Sequence, residues 1–279
     1  ITGIAKQMKA VFAMKLMDFF SRHPVFTHEE FASFLVATGS RSLKTQEAML
    51  RYHVSTGRIR RIRRGLYASV PFGASPATFS VDTFLLAGKM ADDAVIAYHT
   101  ALEFYGKAHS VQEKFVFLTS RAVRPLKFSG YEFRGVRFPN ALARLNQEFF
   151  AVNEAERAGC SISVTSLERT LVDVLDRPDL GGGWEEIWRS LESIEFFNLD
   201  KLLDYTLFLN NASTAAKVGL YLEQRQQELM VNETHLDRLR QLIPKQPTYM
   251  TRGSKGRLVK KWNLVVPLQV IDRLWEEIS

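Results

Sequence analysis

A single cysteine, Cys160, stands in the chain of 279 residues. That excludes an internal disulfide framework and any Cys-rich zinc site. Glycine and proline are scarce, at 16 and 9 residues, too few for a fibrous or disordered chain. Apolar runs are short, and none approaches the ~18–20 residues that a membrane helix needs. The first apolar stretch is broken by Lys6, Lys9, Lys15 and Asp18, so no signal-peptide core is expected. The first residue is Ile1, not Met, as in a trimmed chain. These absences lead to the expectation of a cytoplasmic, non-membrane protein, and the length suggests two domains.

Catalytic signatures are missing as well. There is no G-x-x-x-x-G-K-[ST] loop, no G-x-G-x-x-G turn after a strand and no G-x-S-x-G elbow. Gly181, Gly182 and Gly183 follow Asp179-Leu180 and read as a flexible loop before a helix. His28-Glu29-Glu30 lacks the second histidine of H-E-x-x-H. Asp92-Asp93 reads as a helix N-cap. Cys160 has no histidine near it in sequence. No catalytic residue, metal ligand or cofactor is expected.

What is present is an uneven charge. Residues 1–70 hold twelve Lys/Arg against four Asp/Glu, whereas the whole chain is only +7. A compact basic module on a near-neutral body is the footprint of a polyanion binder. The alternative is a basic face that only keeps the protein in solution.

Apolar spacing at Ile4, Met8, Val11, Phe12, Leu16, Phe19 and Phe20 predicts a helix that ends before Pro24. Thr27 and Glu30 form a capping box for a second helix with Phe31, Phe34, Leu35 and Val36 inward. A third helix follows the N-cap Ser42. Leu43, Glu47, Leu50 and Val54 fall on one face, with Leu43, Leu50 and Val54 as the expected core stripe, and Thr45, Ala48, Met49 and Tyr52 lie opposite. RIRRIRRGLYA, residues 58–68, predicts a tight hairpin with a basic tip. Helix, helix, turn, helix and hairpin make the plan of a winged helix-turn-helix. The expected DNA contacts are Arg41, Ser42, Lys44, Thr45, Arg51 and Tyr52 around the third helix. Arg58, Arg60, Arg61, Arg63 and Arg64 are the expected contacts on the hairpin, because an arginine fork suits phosphate. Arginines on an exposed strand also discourage edge-to-edge pairing, so a solvated edge is the competing reading.

PFGASPATFS, residues 71–80, reads as a linker, which sets expected domains at 1–75 and 76–279. The fold class is α+β, with a larger helix-rich second domain. Its helices are expected near 81–90, 98–105, 166–175, 184–196, 199–209, 212–229 and 233–242. Strands are expected at 114–119, 161–165 and 262–266, with short strands or a hairpin within 126–138. Arg169 and Asp173, four apart, suggest a surface or interdomain ion pair. A basic stretch at Lys245, Arg252, Lys255, Arg257, Lys260 and Lys261 reads as a loop, either solvated or touching nucleic acid.

Taken in order, RRGLYA, TALEFYG (100–106), TSLERTLVDVLDRPDLGGGWEE (165–186), KVGLYLEQ (217–224) and KWNLVVP (261–267) resemble the AbiEi antitoxins of bacterial type IV toxin–antitoxin and abortive-infection systems. The resemblance implies an N-terminal winged helix-turn-helix that represses its own operon at inverted repeats of double-stranded DNA, with two copies bound. It also implies a second domain that counteracts a nucleotidyltransferase-like toxin without a stable complex. Two other readings stand beside it: an enzyme that reverses the toxin's modification, and a protein that sequesters the toxin.

Overall fold

The structure is a computed structural model that describes residues 2–39, 42–251, 253 and 255–272. Its first part runs α1 (Thr2–Arg22), β1 (Val25–Thr27), α2 (His28–Ala37), α3 (Leu43–Ser55), β2 (Ile59–Arg63) and β3 (Leu66–Ser69). The capping box forms as expected. Thr27 Oγ1 accepts from Glu30 N at 3.2 Å, and the Glu30 carboxylate accepts from Thr27 N at 2.8 Å. β1 is too short for its period to reveal. It pairs antiparallel with β3, giving the sheet order β1-β3-β2.

One face of this sheet, through Phe26, Ile59 and Tyr67, closes a core with Leu16, Phe19, Phe20, Phe31, Leu35 and Leu50. Phe34 is half-buried, while Val11 and Val36 are exposed rather than inward. The α3 stripe also differs from expectation. Gln46, Leu50 and His53 are buried, whereas Glu47 and Val54 are exposed. The buried stripe is thus turned by roughly 50–60° from the apolar-only assignment. Polar side chains take core places here: His53 packs edge-on against Phe20 at 5.2 Å. Burial, then the Arg58 charge, lowers the His53 pKa, so the ring favours its neutral form.

The second part contains α4 (Thr83–Gly88), β4 (Val95–Ile96), α5 (His99–Phe104), β5 (Lys114–Thr119), β6 (Leu126–Phe128) and β7 (Tyr131–Arg137). It continues through α6 (Asn140–Leu145), β8 (Val152–Arg157), β9 (Cys160–Thr165), α7 (Leu167–Asp176), α8 (Trp184–Glu192) and α9 (Leu199–Leu209). Then come α10 (Ala212–Gln224), α11 (Glu233–Arg240), β10 (Thr248–Tyr249), β11 (Gly256–Val259), β12 (Leu264–Pro267) and α12 (Leu268–Ile271). The chain is α+β, with a mixed sheet ordered β6-β7-β5-β4-β9-β8 and a small sheet ordered β10-β12-β11. Asp92-Asp93 does not cap a helix. Asp93 accepts from Thr119 and Ser120, and Asp92 pairs with Arg121 at 2.8 Å.

Strand alternation divides the large sheet into two apolar faces. Val95, Val116 and Leu118 join a core built largely from α7 to α11. Ile96, Phe115, Phe117, Ile162 and Val164 face the other way, toward α4. Val25, Leu66 and Ala68 of the first sheet belong to that same second core. Both faces of the first sheet are therefore covered, which is why all four residues of β3 are buried. Residues 71–80 are mostly exposed, yet a continuous core joins the segments on either side of them.

The Arg169–Asp173 pair is neither a surface nor an interdomain contact. It is fully buried inside the second part. Arg169 Nη1 donates to the carbonyls of Glu148 and Phe150, both at 2.7 Å, and the Tyr205 hydroxyl donates to Asp173 at 2.5 Å. A buried pair needs such extra partners to offset desolvation.

Candidate nucleic-acid interface

The outward arc of α3 follows from its buried stripe. At 100° per residue, a core centred on Gln46, Leu50 and His53 turns Lys44, Ala48, Arg51 and Ser55 away from it. All four are exposed. Glu47 and Val54 border this arc on the hairpin side, where a cleft of about 790 Å³ opens between α3 and the hairpin. Arg51, Arg61 and Arg64 line this cleft together with Glu47 and Ser55. Arg51 lies 3.7 Å from Glu47, and both side chains remain exposed. Among the described residues, the side chains of Arg61 and Arg64 have no hydrogen-bond or ion-pair partner.

Thr45 and Tyr52 border the arc on its other side. With Lys44 and Ala48 they line an apolar groove of about 550 Å³ against Phe12 and Leu16 of α1. Ser42 occupies the N-cap position of α3 without a side-chain capping bond. Arg41 lies outside the described residues. Arg58 sits at the foot of the hairpin, with Nη1 3.0 Å from Met17 Sδ.

The remaining two hairpin arginines point elsewhere. Arg60 is paired with Ala68 across the sheet and shares its face, turned toward the second part. Its guanidinium lies 4.5 Å from the Phe128 ring centre. A register shift between Arg61 and Arg63 then turns the strand. Such a bulge re-aims side chains. Here Ile62 packs on the shared core, and Arg63 Nη2 donates to the Met90 carbonyl at 2.5 Å. Burial lowers the Arg63 pKa. Of the eleven residues read from the sequence, the structure gathers Arg51, Arg61 and Arg64 in one cleft. It sets Lys44, Thr45 and Tyr52 along the groove against α1, across the exposed arc from that cleft, and turns Arg60 and Arg63 toward the second part. Glu47, whose side chain lines the cleft, is not among those eleven; the signal that finds it is its i,i+4 relation to Arg51.

The sequence of this module has a counterpart among known families. Residues 14–70 match the AbiEi antitoxin transcriptional regulators. The AbiEi match covers α2, α3, the three-stranded sheet and part of α1, and it stops at Val70. A search of curated protein sequences finds no match. Among solved structures, the RV2827C protein from Mycobacterium tuberculosis has the same fold, at a TM-score of 0.56 and 17% identity. That likeness covers 96% of this chain and 95% of the mycobacterial one, so it extends well past the AbiEi segment. Among the described residues, no helix is long and apolar enough to cross a membrane.

Proposed function

We propose that the chain is a DNA-binding repressor of its own operon, with residues 1–75 acting as a winged helix-turn-helix and residues 76–279 as the antitoxin part. The observation that carries this reading is the convergence of Arg51 from α3 with Arg61 and Arg64 from the hairpin on one open cleft. In this reading α3 enters the major groove, Lys44 and Thr45 reach base edges, and Ser42, Tyr52 and Arg58 flank them along the backbone. Arg61 and Arg64 lie on phosphates, where a charged planar fork binds two oxygens. Two copies fill an inverted repeat. The second part counteracts a nucleotidyltransferase-like toxin without a stable complex.

The test is a titration of the full chain against duplex DNA from upstream of its own gene, at several salt concentrations. Each lost phosphate contact lowers the log-affinity against log-salt slope by about 0.9. Arg61→Ala and Arg64→Ala are each expected to show that reduction, with similar losses on upstream and scrambled duplexes. Unchanged slopes in both variants would remove the hairpin from the interface.

A further inference from the structure

Five arginines in seven residues suggest a hairpin made only for phosphate. The strand geometry divides them. Arg61 pairs across the sheet with Tyr67, which faces the core of the first part, while Arg60 and Arg63 pair with Ala68 and Leu66. Ala68 and Leu66 belong to the core shared with the second part. The bulge after Arg61 adds Ile62 to that inward set.

What receives these side chains is specific. Phe128 ends β6 just before Ser129 and Gly130, whose φ values of 51° and 87° make a tight two-residue turn. Its ring therefore sits at the tip of a short hairpin, under the Arg60 guanidinium. Met90 offers its carbonyl to Arg63 from the segment just beyond α4. Lys89, next to it, pairs with Glu30 of the α2 capping box. Cys160 Sγ donates to the Arg22 carbonyl at 3.4 Å. The second part thus grips the end of α1, the start of α2 and the basic hairpin together.

We propose that Arg60 and Arg63 are positioning residues, which anchor the basic hairpin to Phe128 and Met90 and hold Arg61 and Arg64 at a fixed distance from α3. The proposal rests on the DNA-binding reading above. The Phe128 contact sets the Arg60 guanidinium, and the Met90 bond sets that of Arg63, on the side of the sheet turned to the second part, and neither lines the cleft that Arg51, Arg61 and Arg64 share. Anchoring the hairpin in advance removes ordering cost at the moment of binding.

The experiment compares Arg60→Ala, Phe128→Leu, their double variant and Arg61→Ala in the full chain. Phe128→Leu keeps an apolar side chain and removes the aromatic face. Upstream duplex binding is titrated across salt, and amide exchange of residues 59–69 is followed in the free protein. Arg60→Ala and Phe128→Leu are expected to keep the wild-type salt slope while weakening binding by about two- to fivefold, the loss of one cation–π contact. Exchange in the hairpin should quicken in both, and the double variant should be no weaker than the worse single one. Arg61→Ala should lower the slope and leave exchange unchanged. A slope reduction in Arg60→Ala equal to that in Arg61→Ala overturns the proposal, as does unchanged hairpin exchange in both anchoring variants. If the wild-type chain binds no duplex, the DNA-binding reading fails by itself, and the exchange measurements still decide whether the anchor exists.

Discussion

His99 on α5 is enclosed between two carboxylates. Its Nε2 lies 2.9 Å from Glu186 Oε1. Its Nδ1 is 2.9 Å from Glu103 Oε1, off the N–H axis, so that contact is an ion pair rather than an aligned hydrogen bond. Burial works against charging the ring, but Glu103 and Glu186 outweigh it and raise the pKa above its ordinary value. A raised folded value means that protonation favours the native state. The contribution is complete below the unfolded value of about 6.5, and it is lost as pH rises through the folded value. Thermal melts from pH 6 to 9 should show wild type losing stability relative to His99→Gln. Parallel curves would mean that His99 stays neutral throughout. At the surface, the residues expected to read bases differ from those on phosphate. Lys44→Ala or Thr45→Ala is expected to cost about 1–3 kcal/mol on upstream duplex and less on a scrambled one. Equal losses on both would move these side chains to the backbone-contact class.

KVGLYLEQ and KWNLVVP, distant in sequence, meet in space. Gly219 on α10 lies against the fully buried Trp262 ring, and a Cβ there would overlap it. The indole Nε1 donates to Glu223 at 2.9 Å, and Lys261 pairs with the same carboxylate at 2.7 Å. Gly219→Ala is expected to lower stability by about 1–3 kcal/mol through overpacking, read as a fall in Tm. An unchanged Tm would show that the ring can shift freely. Elements with strong period or clear caps were legible in the sequence: α2 from Thr27 and Glu30, β5 at Lys114–Thr119 and α9 at Leu199–Leu209 all lie where spacing predicts them. Short strands such as β1 and β4 were not, because two or three residues carry no period and their pairing is set by distant partners. The α3 face was misread because Gln46 and His53 are polar yet buried. The basic hairpin was legible, but the division of its arginines was not, since it depends on a bulge and on Phe128, over sixty residues away.

The shared core binds the basic first part to the rest of the molecule. An isolated segment 1–75 would expose Val25, Leu66 and Ala68, all buried in the full chain. So small a unit already has a thin core, and it is expected to be less stable by itself than within the whole. For that reason the division of labour is better tested in the full chain than in fragments. A full-length Arg61→Ala/Arg64→Ala variant should lose repression and still protect cells from the partner toxin. Loss of both activities together would tie protection to DNA occupancy and set aside the assignment to residues 76–279.

The shared core also has a consequence for synthesis. Residues 1–70 leave the ribosome before β9 does, yet the core that Leu66 and Ala68 join includes Ile162 and Val164 of β9. A nascent chain stalled before β9 therefore has its basic hairpin but lacks the backing that completes the sheet, and domains fold as units when their contacts are available. Arrested chains ending near residue 120 should be digested readily within the hairpin, whereas chains with β9 clear of the exit tunnel should resist. Truncated products of interrupted translation would then be poor competitors for any ligand of the full chain.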